Sequence, residues 1–557
     1  MSSKISRREF LVAGLATTGG VVLSACGVPT PTPTVPPPTQ APAAVAPPTA
    51  TGVPPKATAI PVPAATAKPP STQPKKGGLL KIGLSNEPTA IDPHKNRTTG
   101  GLEFCSLVYS QLLKFNEKFE AEPDLAERYQ EVDPITYVFY LRKGVKFHDG
   151  EELTADDVRA SHERLLDPSI GAVSYVYLKN IDKINVKDKY TVEFKLKSPQ
   201  ATFIPAMALC GNCIAQKKMI DKPGTDFEKE VVGTGPFKFV SRTIGVDSKV
   251  ERNPNYFLSG VPYLDAVYMR PVTDDPARVN TLRAGDVDLI TTVPWAGMED
   301  IEKDPKFVLA SVREGGYVHI EFRVDRPPMN NVKLRQAINY AIDREAIVKT
   351  AASGRGKACY GSPIPSWSWA YNKQVENTYK YNVDKAKQLV QEAGAQGLKI
   401  ELVTWAVDTE LFGRPSVMIA NQLKQIGLEV TLKPMGIPEW FDVHNSSNFQ
   451  MQMFGAQYGF PDPDFISNLY GPGGVNSIAT KFADPEIETW LEQARSVSDR
   501  TKRKELYDKI TTRGLDLAPY AYVFYREQGD AHYAYVHGYQ QIMTASFNSI
   551  PFVWLDK

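Results

Sequence analysis

The chain has five cysteines and seven histidines in 557 residues, and no apolar stretch near the roughly 18 residues that a membrane-spanning helix requires. Polytopic membrane proteins are excluded, as are coiled coils and collagen-like chains. The histidines are mostly isolated and read as core or surface residues. His532 and His537 are five apart, which does not align them on one helix face. Net charge is also scarce. The formal value is +1, and residues 1–76 hold seven of the 64 bases but only one of the 63 acids, which leaves the remainder at −5. A mildly acidic body lacks the basic surface that sequence-independent nucleic-acid binding needs, so no nucleic-acid partner is expected.

Catalytic signatures are missing too. There is no G-x-S-x-G elbow. His162-Glu163-Arg164-Leu165-Leu166 puts leucine where a zinc-protease helix has its second histidine. Gly233-Thr234-Gly235 runs into Pro236, too weak a signal for a nucleotide loop. Asp462-Pro463-Asp464 lacks the oxygen spacing and glycine of a calcium loop. No enzyme activity, metal or cofactor is expected. Cys210-Gly211-Asn212-Cys213 has CxxC spacing without a second pair or a thioredoxin-like context. Cys105, Cys210, Cys213 and Cys359 therefore read as a structural disulfide or as buried thiols.

What is present begins at the N-terminus. Ser6-Arg7-Arg8-Glu9-Phe10-Leu11 is a twin-arginine start, and Phe10 to Leu23 is a short apolar stretch. Leu23-Ser24-Ala25-Cys26 resembles a bacterial lipobox, with Cys26 as the lipidated residue. Residues 1–26 thus read as a targeting segment. A general secretory signal also accommodates two arginines, so the export route stays open. Residues 27–76 read as a tether, with 16 prolines and nine threonines over 28–76 and neither acid nor aromatic. Such a segment buries too little apolar surface to offset its ordering entropy and favours extended polyproline II. At about 3.1 Å per residue it reaches on the order of 100 Å or more, enough to hold a domain off a membrane.

The body from Gly77 reads as α/β. Strand patterns recur at 79–83, 137–141, 191–196, 237–240 and 267–269. Over 334–348, Leu334, Ala337, Ile338, Ala341 and Ile342 share one face of a single helix. Helices are also expected at 386–393, stopped by Gly394, and at 417–426, stopped by Gly427. The second lies between strand candidates 399–405 and 428–432, a β-α-β unit that implies parallel strands. Two more helices follow at about 485–497 and 501–513, with Asp499 as a candidate N-cap.

Four blocks resemble the family 5 extracellular solute-binding proteins of ABC importers, which include dipeptide, oligopeptide and nickel receptors. The first runs Pro123-Asp124-Leu125-Ala126-Glu127-Arg128-Tyr129, then Tyr137 to Gly150 (YVFYLRKGVKFHDG) and Leu153 to Val158 (LTADDV). The second is Gly233 to Phe237 (GTGPF) with Asn253-Pro254-Asn255-Tyr256-Phe257 and Gly260 to Asp265 (GVPYLD). The third is Leu334 to Arg344 (LRQAINYAIDR), and the fourth is Pro461 to Asp464 with Trp490 to Arg495 (WLEQAR). These blocks identify the family but read as structural, with Gly144 and Gly150 as turn residues and His148 as a support.

The resemblance implies a two-lobed α/β fold like the periplasmic binding proteins, with a hinge and an extra subdomain inserted in the N-terminal lobe. Lobe I would take 77–316 and 524–557, with the subdomain at about 114–200, and lobe II 317–523. It implies a monomer, lipid-anchored at the extracytoplasmic face of a bacterial cell membrane, in the periplasm or cell-wall zone. Its partners would be a small solute (peptide, oligosaccharide or other) and an ABC permease with separate ATPase subunits. Alignment with peptide-binding members puts Arg97, Thr99, Thr291, Thr292, Trp295 and His319 at the cleft. From the second lobe it adds Trp405, Trp440, Gly455, Gln457, Tyr458, Gly459 and Phe460. Trp405, Trp440 and Tyr458 read either as stacking platforms or as lobe core. Gly459 stands where peptide binders carry the aspartate that holds the α-ammonium. That departure favours a neutral, aromatic-stacking or anionic solute over a free peptide. Competing readings are a secreted enzyme on the same scaffold, or a sensor or chaperone-like binder that imports nothing.

Overall fold

The computed structural model describes residues 73–96, 98–222, 224, 226–406 and 409–557. The twin-arginine segment, Cys26, nearly all of the tether, and Arg97 lie outside the described residues. Alternating apolar residues place most strands in one mixed sheet of eleven. From one edge the order is Glu429–Pro434, Lys399–Thr404, Met451–Gln457, Phe307–Phe322, Tyr520–Tyr533, Leu289–Ile290, Leu79–Leu84, Ala266–Pro271, Asp247–Arg252 and Phe237–Thr243. Gly356–Ala358 pairs with Tyr520–Tyr533 off this path. The expected β-α-β unit is present: Lys399–Thr404 and Glu429–Pro434 pair in parallel across the helix Gly413–Gln425. Gly427, at φ +84°, follows that helix in the left-handed conformation that a glycine adopts without strain.

The two longest strands divide the molecule into its lobes. Phe307 to Val312 face Tyr533 to Gln528, and Gly316 to Glu321 face Arg526 to Tyr520. Leu289–Ile290 joins the first half of this ladder and Met451–Gln457 the second, so one lobe grows from each half. Between Val312 and Gly316 the register shifts. Glu314 sits there at φ +59°, a backbone region uncommon for anything but glycine. Its carboxylate accepts from Lys357 Nζ at 2.9 Å and from the Ser366 N–H and hydroxyl, both at 2.7 Å. A Cβ on Gly316 would stand 2.3 Å from the Ala456 carbonyl oxygen, so the neighbouring strand approaches only because this residue is glycine.

A separate antiparallel sheet of four strands, Ala126–Asp133, Thr136–Leu141, Thr191–Leu196 and Ile181–Asp188, packs with helix Ala155–Leu166. Its core joins Phe139, Phe194, Val158 and Leu165. Gly144 and Gly150 adopt φ +73° and +97° in the adjoining turns. His148 then ties this region to the Gly233–Gly235 loop: the Gly233 N–H donates to Nδ1 at 3.3 Å, and Nε2 lies 3.1 Å from the Gly235 oxygen. Two motif blocks that are far apart in sequence therefore form one structural joint.

The single helix expected over 334–348 is two helices, Val332–Ala341 and Arg344–Thr350. Asp343 caps the second by accepting from the Ala346 N–H at 3.0 Å. Arg344, fully buried, donates to the oxygens of Asn339 (2.9 Å), Ile342 (3.2 Å) and Tyr522 (2.6 Å), which satisfies carbonyls freed by the break. Asp499 caps Arg500–Leu517 as expected, through the Thr501 and Lys502 N–H groups. All four described cysteines are free thiols and buried, so the disulfide alternative does not apply to them. The Cys213 thiol donates to the Cys210 oxygen at 2.9 Å. Burial pushes the Cys359 thiol up to about 11 and those of Cys105 and Cys213 well above the usual range, which leaves them unreactive.

Gly316→Ala should cost about 2–4 kcal/mol, because the added methyl meets backbone that cannot swing away. Gly436→Ala, where a Cβ meets nothing within 4 Å, should cost well under half of that. Urea unfolding of the two variants measures the difference, and equal costs would contradict the tight approach at Gly316.

Candidate functional site

A cavity of about 720 Å³ lies against the register shift of the two long strands. That volume suits a small solute. One wall comes from helices Asp275–Arg283 and Trp295–Lys303, the opposite wall from Trp405 and Thr409 to Arg414, and the floor from Arg526 to Gly529. Asp274 fixes the first helix by accepting from the Ala277 N–H at 2.9 Å. Thr292, just before the second helix, is held at φ +55°, a genuine outlier for a β-branched residue. Two bonds hold it there: its N–H donates to Asp530 Oδ1 at 2.8 Å, and its oxygen accepts from Arg278 at 2.6 Å. Such strain persists only where the surroundings over-determine it, and it clusters at ligand sites. The Trp295 indole donates to the Glu527 oxygen at 2.7 Å, which ties this wall to the floor.

Charge on the walls is mostly internal. Asp275 pairs with Arg278. Asp300 pairs with Arg283 at 3.2 Å, and Glu410 with Arg414 at 3.5 Å. Glu527 accepts from the Ser311 hydroxyl at 2.7 Å and lies 3.8 Å from Arg355. Apolar surface comes from Val279, Val293, Pro294, Trp295 and Leu411.

Of the residues aligned to the cleft, the structure brings Thr292, Trp295 and Trp405 together around this cavity. The others stand elsewhere. Thr99 opens the helix Thr99–Val108. Thr291 is buried and accepts from the Ser85 N–H at 3.0 Å. His319 is fully buried beside Glu321, at 3.4 Å. Glu321 also faces His444 at 3.0 Å and accepts from Asn476 at 2.7 Å. Burial opposes its charge, but the hydrogen bonds from His319 and His444 prevail and hold its carboxyl below the usual range. Trp440 is 2% exposed in the second lobe's core. Its ring lies 4.8 Å from Phe454 and its N–H donates to the Met453 oxygen at 3.1 Å. Of the two readings open for Trp440 and Tyr458, this structure displays core packing. Tyr458 is 1% exposed and its hydroxyl donates to the Pro363 oxygen. Gly455 backs onto the Tyr317 oxygen, while Gln457 and Gly459 are exposed. Phe460 stacks on Tyr177 at 4.6 Å.

The carboxylates after this segment are engaged. Asp462 takes two bonds from Arg503, at 3.0 and 2.7 Å, and Asp464 takes Arg495 Nε at 3.0 and 3.1 Å. They lock the segment onto helices Pro485–Ser496 and Arg500–Leu517. Among the described residues, no group of three or more histidine, cysteine or carboxylate side chains is placed to hold a metal ion. The sequence reading missed Arg526, Glu527 and Gln528. The available signal was the break of the apolar run Tyr520 to Tyr525 by three polar residues in one strand.

The family model "Bacterial extracellular solute-binding proteins, family 5 Middle" matches residues 120–477. The chain belongs to this family. It is a solute-binding protein that captures a small ligand between two lobes, and it is not an enzyme. The oligopeptide-binding protein AppA of Bacillus subtilis is 30% identical over 523 residues, covering 88% of this chain and 94% of AppA. Heme-binding protein A of Haemophilus influenzae is 30% identical over 455 residues, 74% of this chain and 80% of that protein. The structure of AgaA from A. tumefaciens R10, in complex with agropinic acid, superposes with a TM-score of 0.75 at 30% identity, covering 86% of this chain and 99% of AgaA. Family membership therefore carries the scaffold, while the named ligands of these relatives differ widely in chemistry.

Arg503→Met should destabilise this solute-binding protein by about 3–5 kcal/mol, because it strands the Asp462 carboxylate in a buried place. The double variant Arg503→Met with Asp462→Leu should recover much of that loss. Denaturant unfolding of the three variants tests it, and no recovery in the double variant would contradict the buried pair.

Proposed function

We propose that this protein is a lipid-anchored receptor that captures a small solute in the cavity beside the strand crossing and delivers it to an ABC import permease. The observation that carries this reading is the place of the cavity. Its walls come from residues 275–300 and 405–414, one on each side of the long strand pair, and its floor from Arg526 to Gly529 of one of those strands, so a solute there would touch both lobes. Contacts away from the hinge support closure over a solute. Phe460 lies on Tyr177, Phe119 is 5.1 Å from Trp367, and the Ala201 N–H donates to the Arg495 oxygen at 2.6 Å. The lobes are drawn as residues 77–316 with 524–557 and as 317–523, with the inserted subdomain at about 114–200. Cys26 carries the lipid and residues 27–76 form the tether. The protein works as a monomer, and ATP is used by separate subunits of the transporter.

The solute is not anchored by a free α-ammonium. The carboxylates that line the cavity, Asp275, Asp300, Glu410 and Glu527, each have a cation of the protein within ion-pair distance. Oligopeptides with free N-termini are thus poor candidates, and a solute with an aromatic, neutral or anionic contact surface fits better.

Native mass spectrometry of protein purified from its own host should show a bound small molecule that disappears after unfolding and refolding. Calorimetry with unmodified di- to pentapeptides should show at best weak binding. A Cβ at position 459 meets nothing within 4 Å and the residue stands outside the cavity, so Gly459→Asp should fit the loop and leave peptide binding unchanged. Micromolar binding of free peptides by the unaltered protein would return peptide to first place. For the anchor, Cys26→Ala should abolish palmitate labelling; label that persists in this variant would refute the site.

A further inference from the structure

Within the cavity one charged group has no counterpart. Each carboxylate on the walls, Asp275, Asp300, Glu410 and Glu527, has a cation within ion-pair distance. Of the three guanidinium groups that line it, Arg283 and Arg414 have carboxylate partners. Arg526 has none: no described acceptor takes a hydrogen bond from its side chain. Its backbone is held rigidly, paired to Gly316 on one side and to Gly356 on the other. Burial alone pulls its pKa down to about 10, with no neighbouring charge to offset the effect, and at that value the group is still a cation at neutral pH. On the facing wall the Trp405 indole N–H is buried with no acceptor. The Arg526 side chain is half-buried, so a guanidinium without a protein acceptor stays open to a ligand that enters the cavity.

We propose that Arg526 anchors an oxyanion group, carboxylate or phosphate, of the solute, and that the Trp405 indole N–H is a second donor to the same ligand. This assignment rests on the cavity being the solute site. Planar guanidinium groups bind such anions through two parallel hydrogen bonds, and no unpaired carboxylate on these walls repels the charge. The solute class is then a small organic anion with no requirement for an ammonium group.

The test uses the full chain, with sodium acetate and inorganic phosphate as probes and sodium chloride at matched ionic strength as control. Thermal unfolding of the unaltered protein should shift upward with one of the probes and not with chloride. Which probe acts distinguishes carboxylate from phosphate. Arg526→Met should lose that shift and, without probe, should melt no lower than the unaltered protein, because it breaks no hydrogen bond or ion pair of the fold. A merely structural arginine would instead destabilise when replaced. Arg526→Lys should keep a weakened response. Phenylglyoxal should modify Arg526 several-fold faster than the paired Arg503, and the active probe should slow that reaction. A probe response that survives in Arg526→Met, or no response and no protection with either probe, overturns the proposal. Native mass spectrometry separates the two readings. A solute that co-purifies equally with Arg526→Met keeps the receptor and overturns this anchor. A probe response that requires Arg526 in a protein that never carries solute does the opposite.

Discussion

Everything in this molecule hangs on one pair of strands. Phe307–Phe322 and Tyr520–Tyr533 pair along most of their length, and each lobe adds its own strands to one half of that ladder. A continuous ladder would make the lobes one rigid slab. The register shift from Val312 to Gly316 prevents this, with Glu314 in a left-handed conformation and Gly316 pressed on the Ala456 carbonyl. Hinges are a few residues that absorb a large change in backbone angle, and this break has the required irregularity. The carboxylate of Glu314 is gripped by Lys357 and Ser366, so the break has a defined resting shape.

The cavity uses the same irregularity. Thr292 is held at φ +55° by Asp530 and Arg278, and Asp530 lies on the crossing strand itself. Trp295 reaches the oxygen of Glu527 on that strand. Wall and hinge are thus bonded to one another, and a change of hinge angle must move the wall. Stability is supplied elsewhere, in the buried arginines that satisfy backbone carbonyls (Arg335, Arg344) and in the Asp462–Arg503 pair. Surroundings built this way tolerate unpartnered donors at the site, the Arg526 guanidinium and the Trp405 indole N–H.

Much of the frame was legible in the residues. The β-α-β unit near 399–432 showed through its glycine stop and strand alternation, and the turns at Gly144 and Gly150 through their residue type. The break at Ile342 was hidden, because Leu334, Ala337, Ile338, Ala341 and Ile342 keep one helical face. Asp343 caps the second helix, and Arg344 takes up the freed carbonyls there and the distant oxygen of Tyr522. The site was legible in part. Thr292, Trp295 and Trp405 line the cavity. Trp440 and Tyr458 carried two readings, since a large ring buries equally well in core or cleft, and only the partners of their polar atoms separate these. Arg526 was missed because its significance is the absence of a partner, which exists only once the chain has folded.

The central claim is that the lobes turn about the break at residues 313–315 when solute is held between them. The measurement that bears on it most directly is the distance between spin labels on Ile244→Cys and Val417→Cys, one on each lobe. The four described native cysteines are buried and do not compete for label. Pulsed electron resonance on protein purified with its solute should give one narrow distance. The same protein unfolded, stripped of solute and refolded should give a broader distribution centred elsewhere, and returning the extracted solute should restore the first. An identical distance distribution in both states would contradict capture between moving lobes.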